Sequence, residues 1–409
     1  MKRCRSCGGN ELVDVLDLGC QPLANELPLD PNAAQERFRL NLVFCPACAL
    51  MQIDETVPPE RLFSDYVYRS SFADSMLAHV RLLVERLIAE RRLNRDSLVV
   101  EAASNDGYLL QYYRERGIPV LGIEPAANIA EIALRERGIP TDIAFFDDGY
   151  AAGLARRGVR CDVFHAHNVI AHVPDPNPFL RGVARVLKPD GIAVIEAPYV
   201  RDLVDGLQFD TVYHEHFSYF GATSFAALAA RNGLKLIDVE HVPIHGGSLR
   251  YVLGLEGSRA KPAVRKILDE ERRSGLASPA YYQSFARRVG RLSARLKSEL
   301  DALKAAGATL AAYGASAKGS TLVNTLKLGP ETIAFAVDRN PLKQGRHMPG
   351  QHIPILAPSA LRERRPDCVL LLTWNFADEI IAQQRDYLEA GGRFLIPLPE
   401  PRFIDRASL

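Results

Sequence analysis

No charge of either sign dominates the chain: 50 lysines and arginines stand against 49 aspartates and glutamates, a formal net charge of +1. Without a strong field of one sign, neither nucleic acid nor a membrane surface is expected as a partner. No run of about 18 or more apolar residues suggests a membrane-spanning helix. The opening Met1-Lys-Arg-Cys-Arg-Ser-Cys7 lacks the apolar core of a secretion signal, so a cytoplasmic protein is expected. Cysteine is sparse, seven in 409 residues, and four of the seven fall in two CxxC pairs. That argues against a disulfide framework and for a metal site in a reducing compartment. The GxGxxG spacing of dinucleotide-binding loops is missing as well. What is present, 47% hydrophobic and 24% charged residues, suits an ordinary globular chain of two or three domains.

The pairs are Cys4/Cys7 and Cys45/Cys48, with 37 residues between them. A CxxC knuckle holds two sulfurs near one ion, and two knuckles supply four thiolates to a tetrahedral zinc. With no open ligand position the metal would be structural, stapling a segment too small to fold unaided. Buried or redox-active cysteines are the alternative. Cys20 lies outside the pattern and is read as structural.

From Ser97 the chain reads as a strand (Leu98 to Val100), a loop of small residues (Glu101-Ala-Ala-Ser-Asn-Asp-Gly107) and a helix. Pro119 to Pro125 reads as a second strand ending in Glu124, an acid placed to meet ribose hydroxyls. Ala103 stands where glycine is usual. Strand, loop, helix, then strand and acid resemble the S-adenosylmethionine-binding fold of Rossmann-like methyltransferases. Glu101, Ser104, Asn105, Asp106, Gly107 and Glu124 are the cofactor candidates. Ile143 to Asp147 would end a third strand, with Phe146 beside the adenine. Asn168 and His172 follow a fourth strand, at the carboxyl end where ligands gather; His165 and His167 are read as structural.

Thr211-Val-Tyr-His-Glu-His-Phe-Ser-Tyr-Phe220 concentrates groups that hold or move protons: Tyr213, His214, Glu215, His216 and Tyr219. Farther on, His245-Gly-Gly-Ser-Leu-Arg250 has two readings. Gly247 and Ser248 let backbone N–H groups approach an anion, with Arg250 adding charge; a plain hairpin turn would need the same glycines. Residues 262–306 read as a linker of two helices. The last unit again opens with strand, small-residue turn and helix, and a phosphate fits the helix start near Ser316 and Lys318. Its turn lacks the spacing for NAD.

Taken in order, the CxxC pairs, the Glu-Ala-Ala-Ser-Asn-Asp-Gly loop, Tyr213-His-Glu-His216, His245-Gly-Gly-Ser248 and Tyr313-Gly-Ala-Ser-Ala-Lys-Gly319 resemble the deoxysugar C-methyltransferases, which act on nucleotide-linked 4-keto sugars. The resemblance covers essentially the whole chain. It implies an α/β protein with a small N-terminal zinc-binding module (1–70), a central Rossmann-like S-adenosylmethionine domain (71–260), a helical linker (261–305) and a Rossmann-like C-terminal domain (306–409) without NAD. It also implies a nucleotide-linked keto-deoxysugar, dTDP being the first nucleotide to try, held between the two larger domains; the anion readings above make His245, Gly247, Ser248, Arg250, Ser316 and Lys318 its candidate contacts. By the same resemblance Tyr213, Glu215, His216 and His172 form the active site, with Tyr66 or Tyr68 from the N-terminal part.

The expected reaction is methylation of C3 of a 4-keto-6-deoxysugar through an enolate. His216 is assigned as base, with His214 in reserve. An O- or N-methyltransferase on a nucleotide sugar is the nearest alternative; a zinc-containing nucleic-acid methyltransferase and a non-catalytic scaffold are others. A three-part chain closes its own site, so a monomer is expected.

Overall fold

The computed structural model describes residues 3–63, 69–72 and 74–408. Tyr66 and Tyr68 lie outside the described residues. The N-terminal part forms β1 (Val13–Pro22), β2 (Arg37–Cys45) and β3 (Leu50–Ile53). The central part contributes β4 (Val99–Ala102), β5 (Val120–Ile123), β6 (Thr141–Asp142), β7 (Cys161–His167), β8 (Leu187–Pro198), β9 (Ser218–Tyr219), β10 (Leu234–Val242) and β11 (Ser248–Leu255). The C-terminal part adds β12 (Leu310–Tyr313), β13 (Ala336–Val337), β14 (Ile355–Leu356), β15 (Cys368–Leu371), β16 (Arg393–Ile396) and β17 (Arg402–Ile404).

Helical segments alternate with short apolar strands, and that alternation dictates parallel sheets with helical crossovers. The central sheet has seven strands in the order β10-β11-β8-β7-β4-β5-β6, parallel except where β11 runs antiparallel between β8 and β10. The C-terminal sheet has six, in the order β14-β13-β12-β15-β16-β17. Each reverses its strand order once, beside β4 in one and beside β12 in the other, and such switch points open crevices at the carboxyl ends of the strands. The small N-terminal sheet, β1-β2-β3-β9, takes its last strand from the central part: Met51 and Gln52 pair with Tyr219 and Ser218.

Two expectations need correction. The third central strand does not extend to Asp147. It stops at Asp142, and Ile143 and Phe145 are exposed; Asp147 instead caps the helix Asp148–Arg156 by accepting from the Tyr150 N–H. The segment from Pro262 is not a spacer. It forms three helices, Pro262–Ser274, Pro279–Tyr282 and Phe285–Ala305, and the last buries Phe285, Val289, Leu292, Leu296 and Leu300 as one stripe. Tyr282 packs on Phe44 of β2, ring centres 4.6 Å apart. The buried Glu271 carboxylate accepts from the Ala222 N–H (2.6 Å), the Thr223 N–H (2.7 Å) and the Thr223 hydroxyl (2.6 Å), capping the helix Ala222–Arg231 from a distant element. No helix among the described residues is long and apolar enough to cross a membrane.

Glu271→Ala strands those donors in a buried position and is expected to destabilise the fold by about 2–4 kcal/mol. A denaturant titration checks it; a midpoint equal to wild type would refute the capping role.

Candidate active site

Cys4 and Cys7 lie on one turn, and Cys45 and Cys48 flank the turn from β2 to β3. Their sulfurs approach as Cys4–Cys48 at 3.5 Å and Cys7–Cys45 at 3.6 Å, and all four lie within 4.8 Å of one another. Four thiolates about 2.3 Å from a tetrahedral zinc stand about 3.8 Å apart, so the set fits the ion. Cys20 is exposed on β1 and apart from it. Between the first two ligands, Arg5 leaves the knuckle and enters the central domain. Its guanidinium donates to the carbonyls of Pro174 (3.0 Å) and Glu55 (2.6 Å) and lies over the Phe217 ring at 4.9 Å.

The carboxyl ends of β4, β5 and β7 open on a cavity of about 670 Å³ that continues to the C-terminal sheet. Of the cofactor candidates, Asn105, Glu124, Phe146 and Asn168 line it. Glu124 accepts from the Asn105 and Ala126 N–H groups (both 2.9 Å), and burial lifts its carboxyl to about 7. It stands where it would accept from ribose hydroxyls, and Phe146, packed against a tilted Phe164 and an edge-on Phe179, offers a wall for an adenine. Ala103 takes a left-handed φ of +47°, the conformation glycine adopts freely, at a cost of about 1–2 kcal/mol. These residues fit S-adenosylmethionine.

Glu101, Ser104, Asp106 and Gly107 do not line the cavity. Strand alternation turns Glu101 to the far face of β4 with Val99, where both carboxylate oxygens lack a hydrogen-bond partner. Burial, then Glu124 and Asp106, hold its carboxyl well above the usual range. Ser104 is buried against Gly122. Asp106 meets Arg69 and Arg137 at 3.4 Å. Gly107, at φ +76°, packs on Ile139. These four shape the loop from beneath.

The proton-handling loop forms the cavity's centre. Tyr213, Glu215 and His216 line it with His172. His216 Nδ1 lies 3.0 Å from the Thr211 carbonyl, which only accepts, so Nδ1 carries the hydrogen. Nε2 is then an acceptor, and the Tyr213 hydroxyl donates to it at 2.8 Å. Burial, reinforced by His172, holds His216 well below the usual histidine range; enclosure lowers His172 to about 4. Both rings, 4.6 Å apart, are neutral bases at neutral pH. Glu215 is buried, lifted to about 7, and held by Asn25, whose Nδ2 lies 2.7 and 2.9 Å from its two oxygens. His214 faces away, donating to the Phe38 carbonyl at 3.2 Å. Unlike His216, it does not line the cavity.

From the other side His245, Ser316 and Lys318 line the cavity. Ser316 caps the helix Ala317–Leu326, its hydroxyl accepting from the Gly319 N–H. Lys318 donates to the His245 carbonyl (3.2 Å) and lies 4.9 Å over Trp374, whose indole N–H reaches Asp210 at 2.6 Å. Gly247, Ser248 and Arg250 do not line the cavity. Gly246 and Gly247 take positive φ values of +91° and +110° in the turn, which favours the hairpin reading. The Ser248 hydroxyl donates to the Ile244 carbonyl. Arg250 pairs with Glu196 across β11 and β8, and that register commits its guanidinium to Glu196 (2.6 Å), Glu240 (2.6 Å) and His79 (3.0 Å). Asn25, His167, Asp338 and Lys343 line the cavity and were not singled out as site residues. Asp338, which follows β13 as Glu124 follows β5, was legible by analogy with that acid.

Three family models cover the chain: a zinc binding domain (residues 4–63), a methyltransferase domain (75–239) and a C-methyltransferase C-terminal domain (243–399). The chain is 39% identical over 409 residues to the C-methyltransferase NovU of Streptomyces niveus, covering 99% of this chain and 97% of that one. It belongs to the C-methyltransferase family. It is a methyltransferase that uses S-adenosylmethionine and carries zinc in its N-terminal unit. A ubiquinone biosynthesis O-methyltransferase of Azorhizobium caulinodans is 29% identical over 100 residues, 24% of this chain and 38% of that one. Among solved structures, the magnesium protoporphyrin IX methyltransferase of Synechocystis PCC 6803 with bound SAM matches 44% of this chain and 79% of its own, at 13% identity and a TM-score of 0.34.

Two outcomes are expected. Cys48→Ser should lower zinc content by elemental analysis and loosen the β3–β9 junction, read as faster amide exchange at Phe217 to Tyr219. Glu124→Ala should weaken S-adenosylmethionine binding by about tenfold or more in calorimetry. In the wild type the affinity should fall as the pH drops below about 7, because the protonated carboxyl is a poorer acceptor.

Proposed function

We propose that the protein methylates C3 of a nucleotide-linked 4-keto-6-deoxysugar through an enolate. The observation that carries this reading is the neutral His216, its Nε2 lone pair bonded by Tyr213, at the centre of a cavity with a cofactor wall on one side and Lys318 and Lys343 on the other. Bound S-adenosylmethionine supplies a methyl group already activated on a sulfonium; the protein's task is to make the carbon nucleophile. A C–H beside a ketone is removable when the enolate oxygen is stabilised in a site with little water. His216 takes the C3 proton on Nε2. The imidazolium then donates where the imidazole accepted, so the Tyr213 oxygen becomes its acceptor and the phenolic hydrogen is released toward the C4 oxygen. The Thr211 carbonyl holds Nδ1–H throughout and favours the charged ring. His172 borders the same space and orients the sugar. The cationic wall, with Ser316 at its helix start, suits the diphosphate of the nucleotide. His245, at the left-handed turn, closes the cavity beside Lys318.

A 4-ketone acidifies C5 as well as C3, so the product's regiochemistry is part of the test. Purified enzyme, S-adenosylmethionine and dTDP-, GDP- and CDP-linked 4-keto-6-deoxysugars are incubated in deuterated water and read by NMR. A methyl on C3, with deuterium at C3 of unreacted sugar, supports the reading. A methyl on C5 keeps the enolate and overturns the position; a methyl on oxygen or nitrogen overturns the mechanism. His216→Asn is expected to lose about 10²- to 10⁴-fold in turnover with cofactor affinity close to wild type. Near-normal turnover would remove His216 as the base.

A further inference from the structure

Glu215 belongs to the acid–base loop, yet its hydrogen-bond partner comes from the zinc-bearing unit. Asn25 follows β1 in the run Cys20-Gln-Pro-Leu-Ala-Asn25, where Leu23 and Ala24 are buried and fix the backbone. Its side-chain amide nitrogen lies between the two oxygens of Glu215, 2.7 Å from one and 2.9 Å from the other. An N–H group only donates, and an ionised carboxylate only accepts. The pair therefore favours the charged, oriented form against the burial that opposes it.

Other charged or titratable groups face the same carboxylate. Lys343 of the C-terminal part favours its ionised form, though the ammonium is itself committed to the Ala315 carbonyl at 2.8 Å and stands 3.7 Å from Asp338. The His172 ring contacts the Glu215 main chain. Tyr213 and His216 share its loop and the cavity. None of these is seated on the carboxylate oxygens as Asn25 is.

We infer that Asn25 is a positioning residue for methyl transfer, by which the zinc-binding unit holds Glu215 as an oriented carboxylate in the active site. Glu215 then presents its outward lone pairs to a substrate N–H or O–H, and the acid limb of the activity profile follows its ionisation. The kinetic part of the inference rests on the sugar C-methyltransferase reading; the ionisation part does not.

The test uses the full-length, zinc-loaded enzyme with Asn25→Ala and, because it keeps the shape of the side chain, Asn25→Asp. Glu215 ionisation is followed by carbon-13 NMR of labelled glutamate, its signal assigned with Glu215→Gln, and activity is measured across pH. In Asn25→Ala the Glu215 titration and the acid limb should both move to higher pH by about one unit, the equivalent of one charge-assisted hydrogen bond, and activity should fall about fivefold at pH 7 and about tenfold below pH 6. S-adenosylmethionine affinity should stay within about twofold. Asn25→Asp should shift further in the same direction, since two facing carboxyls retain one proton between them. Combining Asn25→Ala with Glu215→Gln should cost little more than Glu215→Gln alone. An unchanged Glu215 titration in both variants would overturn the inference. A shifted titration in an enzyme that methylates no sugar of the panel would uphold the hold on Glu215 and count against the substrate reading instead.

Discussion

The active-site loop is clamped by hydrogen bonds that its backbone makes to three neighbouring elements. The Phe217 carbonyl accepts from the Ile53 N–H of the zinc-bearing sheet (3.1 Å), and the Phe217 N–H donates to the Ala171 carbonyl beside His172 (2.7 Å). On its other flank the Thr321 hydroxyl of the C-terminal domain reaches the Val212 carbonyl at 3.0 Å. Buried backbone groups without partners cost too much to be left open, so these bonds fix the path of residues 211–220 from three sides. Every distance in the Tyr213–His216–His172 corner inherits from that path. A zinc site that touches none of the reacting groups thereby becomes a condition for them: the Arg5 N–H, between two ligands, donates to the Gln52 side chain at 2.9 Å, and Gln52 pairs with Ser218.

Low polarity in the cavity sets the protonation states. It drives His216 and His172 neutral and pushes Glu124 and Glu215 upward, both to about 7. The same desolvation that makes a carboxylate expensive makes an imidazole a ready base. Where a buried carboxylate must stay charged, the fold surrounds it with donors: Asn105 and Ala126 at Glu124, Asn25 at Glu215. Glu196 shows the limiting case. Arg250, His79 and His167 surround it, and it sits well below the usual range despite burial.

Much of this was legible because it is local. Strand, loop and acid follow from spacing, so Glu124, Asn105 and the two parallel sheets could be read directly. The CxxC pairs announce their metal because thiolate geometry is so restrictive. What failed depends on which face a strand presents or what crosses to meet it. Glu101 is one residue from Ala102 in sequence and on the other side of the sheet in space. Arg250 looked available because its commitments are cross-strand: Glu240 faces it from β10 across the hairpin, and Glu196 arrives only when β11 pairs antiparallel with β8. His214 and His216 flank one glutamate, and only tertiary packing decides that one faces Phe38 and the other the cavity. Asn25 gave no signal by itself, because an asparagine after a strand reads as a turn residue.

The switch points explain why two α/β units serve where one sheet already binds the cofactor. Both sheets turn the carboxyl ends of their switch-point strands to the same cavity, with Glu124 and Asn168 on one rim and Ser316 and Asp338 on the other. A proton abstraction beside a ketone needs the base, the oxyanion donor and the methyl donor placed together before the carbon becomes reactive, and positioning of that kind is worth more than any single contact. A single crevice holding the cofactor leaves the opposite face of the substrate to water. On the proposed mechanism, closing that face with a second sheet would bring Lys318 and Lys343 to an anionic ligand and remove the solvent that would otherwise reprotonate an enolate. The loop carrying Tyr213, Glu215 and His216 sits between the rims, and on the proposed mechanism that is where both reactants would come within reach of the same imidazole.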